Sequence, residues 1–243
     1  MAAASGVLIL AAAVVLVVAA SAAGGAVPAG RAAAQAGGAP TSAAPRVAKP
    51  PITQNPIVFG TRRKSETAAY CRRHYGLNSY RLYPKVIVLH FTGGNDWKSA
   101  WNYFSQDVRD PEFHELPGPV AHFIVDQKGV IHQTMPLKYR GRHTYGLNYV
   151  AIGIEFAQAL PSGTSAAWAD RQILNRTKQI NAGLRLVKWL QATYHIKLSN
   201  IIGHSMARSS PYYKDLVRPN QPDHGDWQKA DVRTFRARLS TVH

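Results

Sequence analysis

The sequence predicts an α/β domain built on a mixed central β-sheet flanked by helices. Three observations carry that prediction. Short apolar runs rich in β-branched residues recur at 85–91, 120–126, 149–156 and 198–202. Stretches with apolar residues at helical spacing alternate with them, at 61–75, 99–108, 171–194 and 230–239. The 243 residues suffice for one domain of ordinary size with extra segments.

Taken in order, 61–75 reads as a basic amphipathic helix packed through Ala69 and Tyr70 and ended by Gly76. The run 85–91 is a buried strand closed by Gly93-Gly94, with His90 at its carboxyl end. Residues 99–108 follow as a helix with Trp101, Phe104 and Val108 on one face, and 111–119 as a loop. The run 120–126 and residues 130–133 make a hairpin about a turn at 127–129. Residues 149–156 form a strand interrupted near its end by Glu155. A loop at 161–168 leads to one long helix over 171–194, with Ile173, Ile180, Leu184, Val187 and Leu190 in register. The strand 198–202 then delivers His204, a loop spans 208–222, and a helix over 230–239 closes the chain.

Ahead of the domain, residues 7–20 are continuously apolar, and Ala20-Ser21-Ala22 fits a small-x-small cleavage site. Residues 1–22 therefore read as a signal peptide or membrane anchor, and either sends the remainder out of the cytoplasm. Residues 23–56 read as a disordered Ala/Gly/Pro-rich linker, too poor in large apolar groups to offset its ordering entropy. The folded domain is expected over 57–243. Cys71 is the only cysteine, which excludes an internal disulfide, a cysteine-based zinc finger and lipoprotein processing after the apolar run.

The charge is lopsided, with 29 Lys+Arg against 13 Asp+Glu. Only Arg31, Arg46 and Lys49 precede Gly60 and no acid does, so the excess belongs to the folded part. Such a surface favours anionic partners, a nucleic acid or an anionic cell envelope. No phosphate loop or aromatic–basic interleaving accompanies the charge, so no nucleic-acid partner is expected.

Four positions stand out as chemistry-bearing: His90, His143, Glu155 and His204, followed by the cluster Asp223-His-Gly-Asp226. A single strand-end histidine reads equally well as a buried ring satisfied by a carbonyl. Two of them with a carboxylate, however, are the ligand set of a catalytic zinc with one open position. Glu155 reads either as a strand-end carboxylate reaching solvent or an arginine, or as a general base beside that metal.

Val86-Ile-Val-Leu-His-Phe-Thr-Gly-Gly94 resembles the first ligand strand of the zinc N-acetylmuramoyl-L-alanine amidases of the Amidase_2 type, relatives of bacteriophage T7 lysozyme and the peptidoglycan recognition proteins. Ala121-His-Phe-Ile-Val-Asp-Gln-Lys-Gly129 resembles the next strand and turn, and Arg142-His-Thr-Tyr-Gly146 the stretch beside the site. Ala151-Ile-Gly-Ile-Glu155 resembles the strand with the catalytic glutamate, and Ile202-Gly-His-Ser205 the segment of the second histidine ligand. Each motif alone is weak; their order and spacing together are specific. The resemblance runs from about Ile57 to the carboxyl end.

It implies a single catalytic domain that uses Zn2+ to hydrolyse the amide bond between N-acetylmuramic acid and L-alanine in peptidoglycan or muropeptides. It implies a secreted or membrane-anchored enzyme facing the cell wall. His90 and His204 become zinc ligands and Glu155 the general base. Asp226 becomes the third ligand in a basic-x-Asp pattern, with His224 stabilising the oxyanion. A second frame takes Asp223 as ligand with Gln221 before it, and a third has His224 itself on the metal. Trp227 stands where the family has proline, and the insertion at 208–222 is longer than in the shortest members. His143, Thr92 and Tyr145 are implied near the substrate, between walls formed by 92–97 and 209–221. Tyr149, Tyr212 and Trp227 suit either a sugar face or the core, and His122 suits packing. The rival reading is a non-catalytic peptidoglycan-binding module of the same fold, against which the retained ligand set and Glu155 argue.

Overall fold

The computed structural model describes residues 47–242. The leader expected at 1–22, and the linker as far as residue 46, lie outside the described residues. Six strands form one mixed sheet: β1 (Thr53–Gln54), β2 (Val86–Gly93), β3 (Phe123–Val125), β4 (Ile131–Gln133), β5 (Ala151–Ala159) and β6 (Ile201–Gly203). Their order is β1-β4-β3-β5-β2-β6. All neighbours run parallel except the β3–β4 hairpin. Five helices flank the sheet: α1 (Thr61–Tyr75), α2 (Trp97–Gln106), α3 (Ala166–Asn175), α4 (Thr177–Tyr194) and α5 (Lys229–Ser240).

Alternation along the two central strands sorts the faces. Ile87, Leu89, Ile152, Ile154 and Phe156 point into the larger core beneath α3, α4 and α5. Val86, Val88 and Ala151 point to the other face, which the loops and α1 cover. His90 and Glu155 continue that second row by the period of two. The small residues there have a cause: a Cβ on Gly153 would sit 2.6 Å from Cγ of His143, whose ring lies over the strand.

Local signals set most element ends. Gly76 takes φ 70° and closes α1, its N–H bonding the Arg72 carbonyl while the Leu77 N–H reaches that of Cys71. The Asp96 side chain caps α2 through the Lys98 N–H, and Ser165 caps α3 through that of Trp168.

Four expectations change. The strand expected over 198–202 is a 3-10 turn at Leu198–Asn200 followed by β6, because the Asn200 side chain turns in to bond the Lys85 carbonyl at 3.2 Å. The single helix over 171–194 is two, broken at Arg176, and the first begins at Ala166 within the expected loop. The Arg176 guanidinium turns out of the helical path to bond Gln158 on β5 at 2.9 Å, and the buried Gln179 amide bonds the Val125 and Ala157 carbonyls. Docking on the sheet thus overrides helical continuity. Val108 lies beyond α2 and is exposed rather than on its packed face. Finally, residues 53–54 of the expected linker are a strand, pairing with His132 and Gln133 of β4.

Candidate active site

Strand register assembles the site. His90 on β2 lies opposite Glu155 on β5, and Leu89 lies opposite Gly203 on β6, so His204 follows at the same level as His90. Three chemically active side chains therefore stand side by side, midway along β2 and β5 and just past the end of β6, toward the carboxyl edge where open α/β sheets bind ligands.

Asp226 joins them from the carboxyl-terminal segment. Its Oδ2 lies 3.2 Å from His90 Nδ1 and its Oδ1 3.1 Å from His204 Nδ1. Several bonds hold this segment in place. The Trp227 and Gln228 N–H groups donate to the two oxygens of Asp170 on α3, at 2.9 and 2.7 Å. The Trp227 indole N–H donates to the His90 carbonyl at 3.1 Å, and the Ser205 N–H to that of Asp226 at 3.0 Å. Trp227 crosses so close over Gly203 that any Cβ there would collide with its carbonyl oxygen.

The far side of His90 is held too. Its Nε2 lies 3.1 Å from Thr144 Oγ1 and 3.2 Å from His143 Nδ1. One proton order satisfies the chain: His90 Nε2–H donates to Thr144, the Thr144 hydroxyl donates to His143 Nδ1 at 2.8 Å, and His143 Nε2–H donates to the Ala151 carbonyl at 3.3 Å. That order leaves His90 Nδ1 as a lone pair facing Asp226.

Electrostatics follow from burial. Desolvation, aided by His204 nearby, lowers the His90 pKa to about 4, so the ring is neutral at pH 7. Burial also works against charge on Asp226, but His204 and His90 outweigh it and hold its pKa far below the ordinary carboxylate value. Burial, with Asp226 beside it, raises the Glu155 pKa to about 8. Glu155 Oε2 is buried with no hydrogen-bond partner. An unpaired buried carboxyl oxygen costs free energy and points to a missing positive or donating group.

These groups line a groove of about 580 Å³ with Thr92, His143 and His224 on its walls. Thr92 sits half-buried with its hydroxyl donating to the Gly94 carbonyl at 2.7 Å. His224 stands at the rim, exposed, its ring stacked on His204 at 4.3 Å and its Nε2 3.5 Å from Glu112 Oε2.

The candidates for a third ligand differ in where their side chains lie. Among the described residues the only His/Cys/Asp/Glu group whose ligand atoms converge is His90, His204 and Asp226, within 4.8 Å of one another. Asp223 is exposed and its carboxylate accepts the Arg208 N–H at 2.9 Å, away from the cluster. Tyr145 lines a smaller cavity beside the groove with His143, His204 and His224; its hydroxyl donates to Asp215 at 2.8 Å and its ring packs edge-on against His74. Trp227 is fully buried core. His122 serves packing, as expected, with Nε2 on the Tyr139 carbonyl and Nδ1 accepting the Gly153 N–H. Sequence reasoning missed Thr144, Asp170 and Glu112. Thr144 lay inside a quoted motif, but Asp170 carries no local signal.

Taken together, two histidines, a shared carboxylate able to join them in holding a metal, and an unpaired glutamate on an open groove describe a hydrolase site of α/β architecture. Residues 80–217 match the N-acetylmuramoyl-L-alanine amidase family, Amidase_2, and the chain belongs to it. It is accordingly an enzyme that hydrolyses the N-acetylmuramoyl-L-alanine amide of peptidoglycan. No curated protein matches the sequence. Among solved structures, a mutant endolysin from Bacillus subtilis is similar at 22% identity and TM-score 0.42, over 63% of this chain and 84% of that one. The N-acetylmuramoyl-L-alanine amidase LysC from Clostridium intestinale is similar at 19% identity and TM-score 0.43, over 68% and 90%. The peptidoglycan recognition protein PGRP-SA of Apis mellifera is similar at 20% identity and TM-score 0.33, over 50% and 70%.

Proposed function

We propose that this amidase is zinc-dependent, with His90 Nδ1, His204 Nδ1 and Asp226 as the protein ligands. The donor set carries the reading. Two neutral imidazole nitrogens and one carboxylate are zinc's preferred chemistry, and the edges of a tetrahedron with zinc-type bonds are roughly 3.3–3.4 Å long. The 3.2 and 3.1 Å separations from Asp226 to the two Nδ1 atoms come close to that. The orphaned Glu155 oxygen fits as well, because a nearby cation would favour its charged form.

Zinc bound there supplies Lewis acidity to the scissile carbonyl and lowers the pKa of water to about 7. The side chains do the rest. Glu155, rising from the groove floor, takes the proton from the attacking water and returns it to the departing alanine nitrogen. His224, over the groove from the rim, donates an N–H to the oxygen that gains charge in the transition state. Thr92 forms part of the wall along which the glycan or stem peptide lies. His143 acts from behind through His90 rather than on substrate.

We further read the enzyme as exported or membrane-anchored, facing the wall, from the apolar run at 7–20. An anionic envelope suits its basic surface. Among the described residues no helix is long and apolar enough to cross a membrane.

The test is to incubate the purified protein with peptidoglycan. New L-alanine amino termini without new reducing sugar ends are expected, together with one zinc per chain. New reducing ends would sink the amidase reading. Glu155→Gln is expected to retain zinc and lose about 10²–10⁴-fold in turnover. Loss of metal instead would make Glu155 a ligand.

A further inference from the structure

The surface around Tyr139 lies outside the groove and plays no part in the reaction. Three rings from separate parts of the chain meet there. Phe59 stacks on Tyr139 with centroids 4.9 Å apart, and Tyr80 meets Tyr139 edge-on at 5.7 Å. Cations surround them. Lys64 Nζ lies 5.1 Å from the Tyr139 centroid and 5.9 Å from that of Tyr80. Lys138 Nζ lies 5.2 Å from Tyr139, and the Arg81 guanidinium 5.9 Å from Tyr80. Lys138 and Arg81 are exposed and Lys64 is half-buried. None of the three meets a carboxylate: among the described residues, the Lys and Arg salt bridges involve Arg62, Arg63 and Arg142 alone.

Three cations held together without an acid repel one another, a cost the ring faces offset only in part. Their field is felt at the Tyr139 hydroxyl. Desolvation is the largest single effect and opposes ionisation there, yet Lys64 and Lys138 together outweigh it and bring its pKa below the ordinary tyrosine value. A field that favours tyrosinate favours any anion placed at the same point.

We propose that this patch, Lys64, Arg81 and Lys138 set on Phe59, Tyr80 and Tyr139, is a docking surface for a phosphodiester polymer of the cell envelope. It would hold the enzyme on the layer it digests. The identity of the layer rests on the amidase reading above. Lysine supplies point charges to phosphate and arginine a two-pronged donor. Single-stranded nucleic acid would need open ring faces for its bases. Here Phe59 and the cations already occupy the rings, so a polymer without bases fits better. The domain's wider excess of base attracts such a polymer from a distance, and the patch gives it a place to settle.

The test uses the full chain and soluble poly(glycerol phosphate) as probe, with binding measured at two salt concentrations. If three phosphates are neutralised, a fourfold rise in salt lowers the affinity by about 20- to 40-fold. The triple variant Lys64→Gln, Arg81→Gln, Lys138→Gln is expected to bind at least about tenfold more weakly and to lose most of that salt dependence. Its hydrolysis of a soluble muropeptide should match the wild type, which also shows that it folds. Equal binding by the triple variant would overturn the proposal. So would tighter binding of a polyuronate or a single-stranded oligonucleotide than of poly(glycerol phosphate). Wild type that binds the polymer but cleaves no muropeptide would instead defeat the amidase reading and leave the docking surface standing.

Discussion

Among the described residues, two three-membered clusters of histidine and carboxylate are built in opposite ways. At the groove, two histidines face one carboxylate, and both Nδ1 atoms approach Asp226. Beneath the neighbouring loops, two carboxylates face one histidine. His74 Nδ1 lies 2.9 Å from Asp215 Oδ2, and its Nε2 lies 2.9 Å from Glu115 Oε2. A ring that donates from both nitrogens satisfies both carboxylates in that second arrangement. Asp215 Oδ1 also accepts the Tyr145 hydroxyl and the Val217 and Arg218 N–H groups. The two carboxylates approach opposite edges of the ring, and no single point is close to all three groups. The same residue types thus make a closed clamp in one place and a convergent ligand set in the other. What separates them is where the lone pairs point and whether a groove opens onto them.

The largest expected effect breaks the open cluster. Asp226→Ala should abolish tight zinc binding and reduce turnover to background, whereas Asp223→Ala should bind zinc as wild type does. Metal analysis of the two variants side by side decides this. Metal loss on Asp223→Ala would move the third ligand to the alternative frame and show that zinc binding needs a rearranged loop.

The next effect breaks the clamp and should leave the groove alone. Removing one partner of a buried ion pair costs about 3–5 kcal/mol, so Asp215→Asn should lower stability by that order at neutral pH. Burial opposes ionisation of Asp215, but His74 and the backbone donors outweigh it and hold its pKa below the ordinary value. The sign follows. The stabilisation is fully present above the unfolded carboxylate pKa of about 3.9 and is lost as pH falls through the depressed folded value. Denaturant titrations should therefore show the gap between variant and wild type closing only in acid. A gap that closes between neutrality and mild acid would mean that another group carries the clamp. Zinc affinity per folded molecule should be unchanged, and a coupled loss would show that the clusters are not independent.

The contrast also explains what the sequence made legible. His90, Glu155 and His204 each follow a short apolar run in a recognisable motif, because parallel pairing requires such runs and sets the residues after them side by side. Asp226 was one of several readings, since no periodicity fixes which acid of a loop turns inward; the Asp170 bonds and the crossing over Gly203 do that. The clamp was invisible: His74 sits on a helix, Glu115 and Asp215 in loops, and only tertiary packing brings them together. The bond from the Tyr145 hydroxyl to Asp215 was hidden for the same reason. The break at Arg176 escaped because both halves keep helical spacing, and the interruption comes from contacts with β5.

The smallest effect probes how firmly the open cluster is aimed. Groups that orient a metal-bound histidine typically contribute 10–100-fold in metal affinity. Thr144 is buried and its hydroxyl bridges His90 and His143. Thr144→Val keeps the shape and removes only the bridge. His143 Nδ1 already lies 3.2 Å from His90 Nε2, near enough to accept its proton directly. The loss should therefore fall at the lower end, about tenfold in zinc affinity, with little change in thermal stability. Competition with a chelator of known affinity measures it. Adding His143→Ala should then deepen the loss beyond the sum of the single changes, because each partner covers for the other. Simple additivity would mean that packing against Gly153, and not hydrogen bonding, fixes the His90 ring.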